Sequence, residues 1–282
     1  MTAVVTDIHY RMSLALIRDL AQAGVQVVCC EREGAPAPLG FASRYASQRV
    51  ALPQKGWLDA LYALCARLAE TEGSRPALLP VGAATLGALS AAETLQRFGQ
   101  VCGLCIPSTE QLDLFNSKAE VHQLAQTLGI PVPESYAPQP GQSLESFFQG
   151  TPLPCVVKPL CGERLGLPAA QRYSIVSTPA QAAAQYRHFE QLAGEPPQVL
   201  GYLPGDGLGC SVLARDGRVL AAICHRRVRE YPVSGGPSAC CDCIERPDLT
   251  AWAAQLVSSI GYTGLAMFEF KEDSTGRPRL LE

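Results

Sequence analysis

Apolar strand-like segments and amphipathic helical segments alternate along the first third of the chain, and this alternation limits the possible folds more than any other feature. Residues 3–6 are rich in β-branched side chains, and residues 12–23 carry apolar side chains at helical spacing. Gly24 ends that helix, and residues 25–30 are apolar again. The same order continues to about residue 106, which predicts a βαβ start and a small parallel sheet.

The second half of the chain has a different pattern, in which strands are joined by tight turns. The sequence Arg215-Asp216-Gly217-Arg218 is typical of a hairpin between two apolar runs. A helix is predicted over residues 249–261, followed by a strand pair over residues 264–271 and 279–282. The predicted fold class is therefore α/β, with an N-terminal parallel-sheet domain and then a two-subdomain α+β fold. The predicted domains cover residues 1–106, 107–196 and 197–282.

Composition and charge exclude several classes of function. The 282 residues include 23 basic and 26 acidic side chains, giving a net charge of −3, and the basic residues are scattered. Neither nucleic acid nor an anionic membrane surface is indicated as a partner, so small-molecule substrates are expected. No apolar run approaches the about 20 residues that a spanning helix needs, and the first residues lack the pattern of a secretion signal. A cytoplasmic location is expected.

Twelve cysteines leave two interpretations open. In a long chain without a secretion signal, cysteines are usually reduced, buried and apolar in character. The alternative is a zinc site, for which Cys102 and Cys105 together with the cluster Cys240, Cys241 and Cys243 are the candidate ligands.

The first turn argues against a nicotinamide cofactor. Residues 6–10 contain no glycine, whereas the loop that places a dinucleotide pyrophosphate on a helix N-terminus is rich in glycine. This turn therefore argues against a dehydrogenase built on the N-terminal βαβ unit.

A lysine and two carboxylates mark the second half as the place for chemistry. Lys158 ends an apolar strand directly before a glycine-flanked polar loop. Glu269 and Glu282 lie 13 residues apart on two strands predicted to pair, so both carboxylates can be directed at one point. Two converging carboxylates suit Mg²⁺ or Mn²⁺, which is typically held by one or two carboxylates together with nucleotide phosphates.

The order of these segments resembles the ATP-grasp superfamily, which includes biotin carboxylase, carbamoyl phosphate synthetase and D-alanine:D-alanine ligase. The resemblance covers essentially the whole chain. The N-terminal lobe, with its stretch GFASRYAS at residues 40–47, is similar to the pre-ATP-grasp domain. Residues from about 108 resemble the two ATP-grasp subdomains, of which the second, residues 197–282, looks incomplete.

The resemblance assigns site residues by position. Lys118 in NSKAEVHQLAQTLG and Lys158 in VVKPLCGERLG match lysines that neutralise the nucleotide phosphates. The loop from Gly162 to Gly166 is similar to the flexible loop that covers those phosphates, and Glu269 and Glu282 match the metal carboxylates.

The segment VLGYLPGDGLG resembles the hinge that receives adenine. The position that is usually acidic is Gly201 here, so the resemblance leaves the backbone of Gly201, Tyr202 and Leu203 to bind the adenine edge. Asp206 is then the candidate for the ribose hydroxyls.

The stretch HRRVREYP at residues 225–232 resembles the segment that lies over the γ-phosphate or the substrate carboxylate. Arg227 is the candidate catalytic residue, because a guanidinium there can stabilise the phosphoryl transition state through bidentate contacts. A solvated strand of alternating cations explains the same residues equally well.

The family motif normally continues after the second carboxylate with Ile-Asn-Pro-Arg, so the sequence is expected to be a truncated piece. The resemblance implies a ligase that activates a carboxylate as an acyl phosphate for attack by an amine, using ATP and Mg²⁺ or Mn²⁺, with a homodimer as the candidate assembly. The alternative is a regulatory module that binds ATP without turnover.

Overall fold

The computed structural model describes residues 1–160, 165–168, 171–231 and 238–282. These residues form two compact units. The first comprises Met1–Leu114 with Tyr262–Leu265, and the second comprises Phe115–Gly261 with Ala266–Glu282. The finer division at residues 106 and 196 stays a prediction.

The first unit has the predicted alternation of strands and helices. Its four strands pair in parallel in the order β3-β2-β1-β4. Apolar side chains such as Val4, Val28, Leu61 and Phe98 are buried around this sheet, as the periodicity predicts. Its elements are β1 (Thr2–Val5), α1 (Arg11–Gln22), β2 (Gln26–Arg32), a 3₁₀ turn (Leu39–Ala42), β3 (Gln48–Leu52), α2 (Trp57–Glu72), β4 (Ala77–Leu79), α3 (Ala83–Ser90), α4 (Ala92–Phe98) and the first six residues of α5 (Thr109–Asn116).

One predicted helix of this unit is wrong in detail. The sequence predicts a continuous helix over residues 84–95, but α3 ends at Ser90 and α4 begins at Ala92. Ala91 has an extended backbone, with φ −60° and ψ 133°, and this interrupts the helical hydrogen bonds. Alanine has the highest helix propensity of all residues, so no local sequence signal marks the break.

The glycine-free first turn is organised by a buried carboxylate. Asp7 has a left-handed backbone with φ 55° and is 4% exposed. Its carboxylate accepts hydrogen bonds from the Thr6 hydroxyl at 2.6 Å, the Gly82 N–H at 2.9 Å and the Thr85 hydroxyl at 2.7 Å. The turn after β1 is therefore fastened to the start of α3 by the chain's own groups.

The second unit contains two antiparallel sheets. The four-stranded sheet has the order β5-β8-β6-β7, and the five-stranded sheet has the order β11-β10-β9-β12-β13. Its elements are α6 (Lys118–Thr127), β5 (Ser135–Tyr136), α7 (Leu144–Gly150), β6 (Cys155–Lys158), β7 (Ser174–Val176), α8 (Pro179–Ala193), β8 (Gln198–Gly201), β9 (Gly207–Arg215), β10 (Arg218–Glu230), β11 (Ser238–Ile244), α9 (Pro247–Ser259), β12 (Gly264–Glu272) and β13 (Pro278–Leu280).

The hairpin between β9 and β10 forms where the sequence predicts it. Asp216 and Gly217 both have positive φ angles, 50° and 77°, which is the conformation of a type I′ turn. Strand β11 is not predicted by the sequence, because its residues SACCDCI lack an alternating apolar pattern and all but Ile244 are exposed. It is the edge strand of the five-stranded sheet.

The five-stranded sheet buries one face and leaves the other for polar side chains. On the buried face, Cys224 of β10 lies within 3.5 Å of the Thr250 hydroxyl on α9. Successive side chains of a strand point to opposite faces, so His225 and Arg227 lie on the other face.

The described helices include none long and apolar enough to cross a membrane.

Candidate functional site

Glu269 and Glu282 are held side by side by their main chains. The Glu269 N–H donates to the Glu282 carbonyl at 2.6 Å, and the Leu281 N–H donates to the Glu269 carbonyl at 2.7 Å. Glu269 belongs to β12, and Glu282 lies two residues after β13, which pairs with β12. The structure therefore brings together the two carboxylates that the sequence predicts as metal ligands.

Each carboxylate is paired with a cation that the sequence also singles out. The Lys118 ammonium lies 2.5 Å from a Glu282 carboxylate oxygen, and the Arg227 guanidinium donates to Glu269. Arg227 also lies 3.6 Å from the carboxylate of Glu230. Four predicted site residues thus form one chain of charges that runs from α6 to β10.

Lys158 reaches the same group of charges from the end of β6. Burial, and secondarily the positive charge of Lys118, lowers the pKa of Lys158 to about 8, whereas the carboxylate of Glu282 acts in the opposite direction. A buried lysine next to another cation is stabilised by an anion that binds between them. This arrangement therefore suits a phosphate group.

The environment of Glu269 differs from that of Glu282. Glu269 is the more buried, with 20% of its side chain exposed against 43% for Glu282. Burial raises the pKa of Glu269, the charge of Arg227 opposes that shift, and the charge of Glu282 adds to it. A cation placed between the two carboxylates would remove their mutual repulsion.

These donors fit a hard divalent cation. Magnesium prefers oxygen ligands and needs only one or two carboxylates when phosphates complete its coordination. In the described part of the chain, no group of three or more histidine, cysteine or acidic side chains is arranged to hold a metal by itself. The pair Glu269 and Glu282 therefore suits a metal brought with a nucleotide, and the zinc hypothesis gains no support there.

Arg227 is held in the site, in contrast to its neighbour Arg226. Arg227 is 20% exposed and crosses the sheet towards Glu269, whereas Arg226 is 46% exposed and contacts Asp206 and Asp242 on the opposite face. The alternation of side chains along β10 thus directs Arg227 towards Glu269 and Arg226 towards Asp206 and Asp242, on the face that also carries Cys224.

Two glycines of β9 lie next to polar side chains of β10. A Cβ atom on Gly209 would lie 2.2 Å from the His225 ring, and a Cβ atom on Gly207 would lie 3.0 Å from Arg227 Cδ. Because both positions lack a side chain, the His225 ring and the Arg227 side chain can lie close to the backbone of β9. Burial and the charge of Arg227 lower the pKa of His225.

Sequence reasoning missed His122 and Gln198. His122 Nε2 lies 2.9 Å from the Leu281 carbonyl, so α6 holds the chain segment that carries Glu282. The sequence offered one signal for His122, because it lies four residues after Lys118 and therefore on the same face of the helix. Gln198 lies opposite Lys158 across the β6–β8 ladder. Its buried Oε1 atom has no hydrogen-bond partner among the described residues, so it can accept from a ligand N–H.

The predicted adenine segment is only partly available for a ligand. The Gly201 N–H already donates to the Glu134 carbonyl at 2.8 Å, which leaves Tyr202 and Leu203 as backbone candidates. Leu203 is buried and Tyr202 half-buried. Gly201 lacks the carboxylate that is usual at this position, but another acidic residue lies close to it. The Cβ atom of Glu134 is 3.7 Å from where a Cβ atom on Gly201 would be.

Asp206, Gly162 and Gly166 are the remaining residues predicted to bind the nucleotide. The Asp206 carboxylate lies 3.8 Å from Arg226, and its carbonyl accepts from the Glu272 N–H at 3.0 Å. Gly166 has φ 65°, whereas Gly162 lies outside the described residues. The structure therefore does not bring Asp206 into contact with Lys118, Glu269 or Glu282, and its role at a ribose stays a prediction.

The chain is similar to known proteins in its three-dimensional structure. No family model matches the sequence, and no curated protein matches it. Solved structures do match, among them the biotin carboxylase of Campylobacter jejuni, with 16% identity and a TM-score of 0.65, covering 99% of this chain and 64% of that one.

Two further structures extend the comparison beyond biotin carboxylases. The L-amino acid ligase of Bacillus licheniformis has 14% identity and a TM-score of 0.57, covering 100% of this chain and 66% of that one. The N5-carboxyaminoimidazole synthase of Aspergillus clavatus has 13% identity and a TM-score of 0.59, covering 100% and 68%.

The chain spans less than two thirds of the biotin carboxylase and the L-amino acid ligase. Nearly all of its own length takes part in each match, including the parallel-sheet unit and both antiparallel sheets. The fold predicted from the order of the segments is thereby confirmed, because the chain shares its fold with these three solved structures.

Proposed function

We propose that this chain binds ATP together with Mg²⁺ or Mn²⁺ and takes part in activating a small-molecule carboxylate for attack by an amine. The observation that carries the proposal is a cluster of five charged side chains in one unit: Lys118, Lys158, Arg227 and Glu269 lie on four different elements, and Glu282 follows β13. Cations and carboxylates that come together from such distant parts of the sequence favour a phosphate and metal site over a solvated surface.

The cationic members act on the phosphates. Lys118 and Lys158 supply positive charge from α6 and β6, and Arg227 supplies a planar group suited to two oxygens of a phosphoryl or carboxylate group. Magnesium, when bound, neutralises phosphate charge and orients the transferred group. With a nucleotide bound, Lys118 and Arg227 would pair with phosphate oxygens, and Glu282 and Glu269 would hold the metal.

The base is expected near β8. The unpartnered Gln198 Oε1 and the backbone of Tyr202 and Leu203 offer acceptors and donors to a purine edge. Asp206 is proposed for the ribose, and Gly162 and Gly166 for a loop that covers the phosphates. The Campylobacter jejuni biotin carboxylase was solved as a β-γ-ATP complex, which supports a nucleotide in this fold.

We also propose a domain division, an oligomeric state and a location for the chain. The proposed division is a pre-ATP-grasp domain over residues 1–106 and ATP-grasp subdomains over residues 107–196 and 197–282. A homodimer is proposed because the biotin carboxylase domain of Hydrogenobacter thermophilus 2-oxoglutarate carboxylase was solved as a dimer. A cytoplasmic location is part of the same proposal.

The test has two stages. Calorimetric titration with MgADP measures binding by the chain itself, and ADP release across a panel of carboxylates and amines measures the reaction. We expect binding in the first stage and release that requires both co-substrates in the second. Absence of nucleotide binding would overturn the whole proposal.

A specific observation favours a second candidate, an ATP-binding module without turnover. Both carboxylates are already engaged by Lys118 and Arg227, and the usual acidic hinge residue is Gly201. If MgADP binds but no carboxylate and amine together promote ADP release, the binding module is the better description.

A further inference from the structure

The exposed edge strand β11 carries three of the chain's free thiols. Cys240, Cys241 and Cys243 are exposed, whereas seven of the other described cysteines are buried. Burial explains the seven, since a buried cysteine acts as a small apolar side chain. It does not explain three thiols within four residues on an exposed strand.

The register of β11 gives two of these thiols a particular position. Cys241 lies directly opposite Arg227, and Cys243 lies directly opposite His225. Directly opposed residues of an antiparallel pair have Cβ atoms about 5 Å apart on the same face. Both thiols therefore lie on the face where Arg227 contacts Glu269.

A separate hydrogen bond shows on which face of the five-stranded sheet each β11 side chain lies. The residue between the two thiols, Asp242, accepts a hydrogen bond from Arg226 at 3.1 Å. Arg226 lies on the opposite face from Arg227, so Asp242 does too, and the alternation places Cys241 and Cys243 beside the site. Cys240, one residue before Cys241, lies opposite Arg229 across a register shift.

We propose that Cys241 and Cys243 are a thiol-modification site that takes low-molecular-weight disulfides such as glutathione disulfide, and that modification there closes the Arg227–Glu269 end of the site. This consequence rests on the proposed function. A thiolate of the chain attacks one sulfur of the disulfide; a new S–S bond forms, the old one breaks, and one thiolate leaves as free glutathione.

Strand geometry favours a reagent from solution over an internal disulfide. Cys241 and Cys243 are two residues apart on a strand, which puts their Cα atoms about 6.7 Å apart, at the upper limit for a disulfide, with parallel side chains. Neighbouring Cys240 and Cys241 point to opposite faces. None of these pairs has the geometry of a good disulfide.

The attached group would interfere through both charge and size. Glutathione carries two carboxylates and one ammonium group, so it adds negative charge where anionic phosphates are expected. An extended tripeptide spans about 10 Å, which exceeds the distance from Cys241 to Arg227. Its carboxylates can therefore engage the Arg227 guanidinium in place of a ligand.

The experiment treats the whole chain with glutathione disulfide, maps modified cysteines by peptide mass analysis, and then titrates MgADP. We expect modification at Cys241 and Cys243, an affinity lowered by about tenfold or more, and recovery on reduction. The Cys241→Ser/Cys243→Ser variant should keep its affinity through the treatment. Cys240→Ser is the matched control and should lose affinity like the parent.

Two results would overturn the proposal: modification confined to Cys240, or unchanged MgADP affinity in protein modified at both Cys241 and Cys243. Failure of the proposed function is separate, because it appears as absence of MgADP binding before any treatment. In that case the peptide map alone decides the modification site.

Discussion

At the scale of single residues, Lys158 links the site to pH. Its pKa is lowered to about 8 by burial and by Lys118, so it is mostly protonated at neutral pH and mostly neutral above about pH 9. Nucleotide phosphates keep their charge over this range, because their last pKa is about 6. The pH at which the site loses a cation is therefore set by the protein.

We predict that MgADP affinity falls as pH rises through about 8, by about tenfold or more, the usual value of a charge-assisted hydrogen bond. Lys158→Ala should bind weakly at every pH. Lys158→Arg, whose guanidinium stays protonated, should bind with little dependence on pH. Calorimetric titrations from about pH 7 to about pH 9.5 measure this. An equally steep fall in Lys158→Ala would show that another group is responsible.

Glu269 carries the second residue-scale prediction. Glu269→Gln keeps the shape of the side chain but removes the negative charge that pairs with Arg227. The backbone hydrogen bond between Glu269 and Glu282 is unaffected by this change. We expect ADP binding by this variant to depend much less on magnesium, because one of two metal ligands is lost. Magnesium titrations of ADP binding, followed by calorimetry, measure the effect.

The control is Glu245→Gln, an exposed carboxylate outside the cluster. It should leave the magnesium dependence unchanged. Superimposable magnesium curves for Glu269→Gln and its parent would refute the carboxylate pair.

The residue types of the site could be predicted, but not their mutual contacts. Lys158, Glu269 and Glu282 stand out because charged groups adjoin apolar or glycine-flanked segments, whereas Lys118 is assigned only by the family resemblance. The ion pair between Lys118 and Glu282 joins residues at opposite ends of the second unit, and no local pattern encodes such a pairing. Gln198 was missed for the same reason, since only its cross-strand position beside Lys158 gives it meaning.

At the scale of elements, periodic patterns predicted most strands and helices, and the exceptions have physical causes. Strand β11 was missed because an exposed edge strand needs no apolar alternation. The break between α3 and α4 was missed because it falls at Ala91, which favours a helix by itself. The β9–β10 hairpin was found because only residues that tolerate positive φ fit its turn.

A glycine of the loop before β9 gives the element-scale prediction. A Cβ atom on Gly205 would lie 2.6 Å from Glu272 Cβ and 2.9 Å from the Glu272 carbonyl oxygen. The Gly205 N–H donates to that carbonyl at 3.0 Å, so the clash cannot be relieved without moving the end of β12. We expect Gly205→Ala to lower the free energy of unfolding by about 1–3 kcal/mol, the usual cost of overpacking.

Urea denaturation followed by circular dichroism measures this loss. Gly150→Ala is the matched control, because a Cβ atom there meets nothing within 4 Å and its φ is not positive. It should change stability by less than about 1 kcal/mol. Equal midpoints for Gly205→Ala and the parent would show that the loop adapts more readily than the close contact implies.

At the scale of the whole molecule, the chemistry is concentrated in one of the two units. The five charged candidates belong to the second unit. In the first unit, the buried carboxylate of Asp7 is hydrogen-bonded to Thr6, Gly82 and Thr85, and that of Glu31 is hydrogen-bonded to His9. A ligand that binds only the folded state stabilises it by an amount set by its concentration, about 2.7 kcal/mol at a hundred times its dissociation constant.

We therefore predict that MgADP slows amide hydrogen exchange mainly in the second unit, at residues 118–122, 155–158 and 268–282. Local openings there separate the strands and the helix that the charges join, and a ligand bridging them must be released before each opening. Exchange in β1 and β2 should change little. Mass-resolved hydrogen exchange with and without MgADP measures both units in one experiment, and Lys118→Ala/Lys158→Ala is the control in which the difference should vanish. Protection confined to the first unit would move the nucleotide away from the cluster of Lys118, Lys158, Glu269 and Glu282.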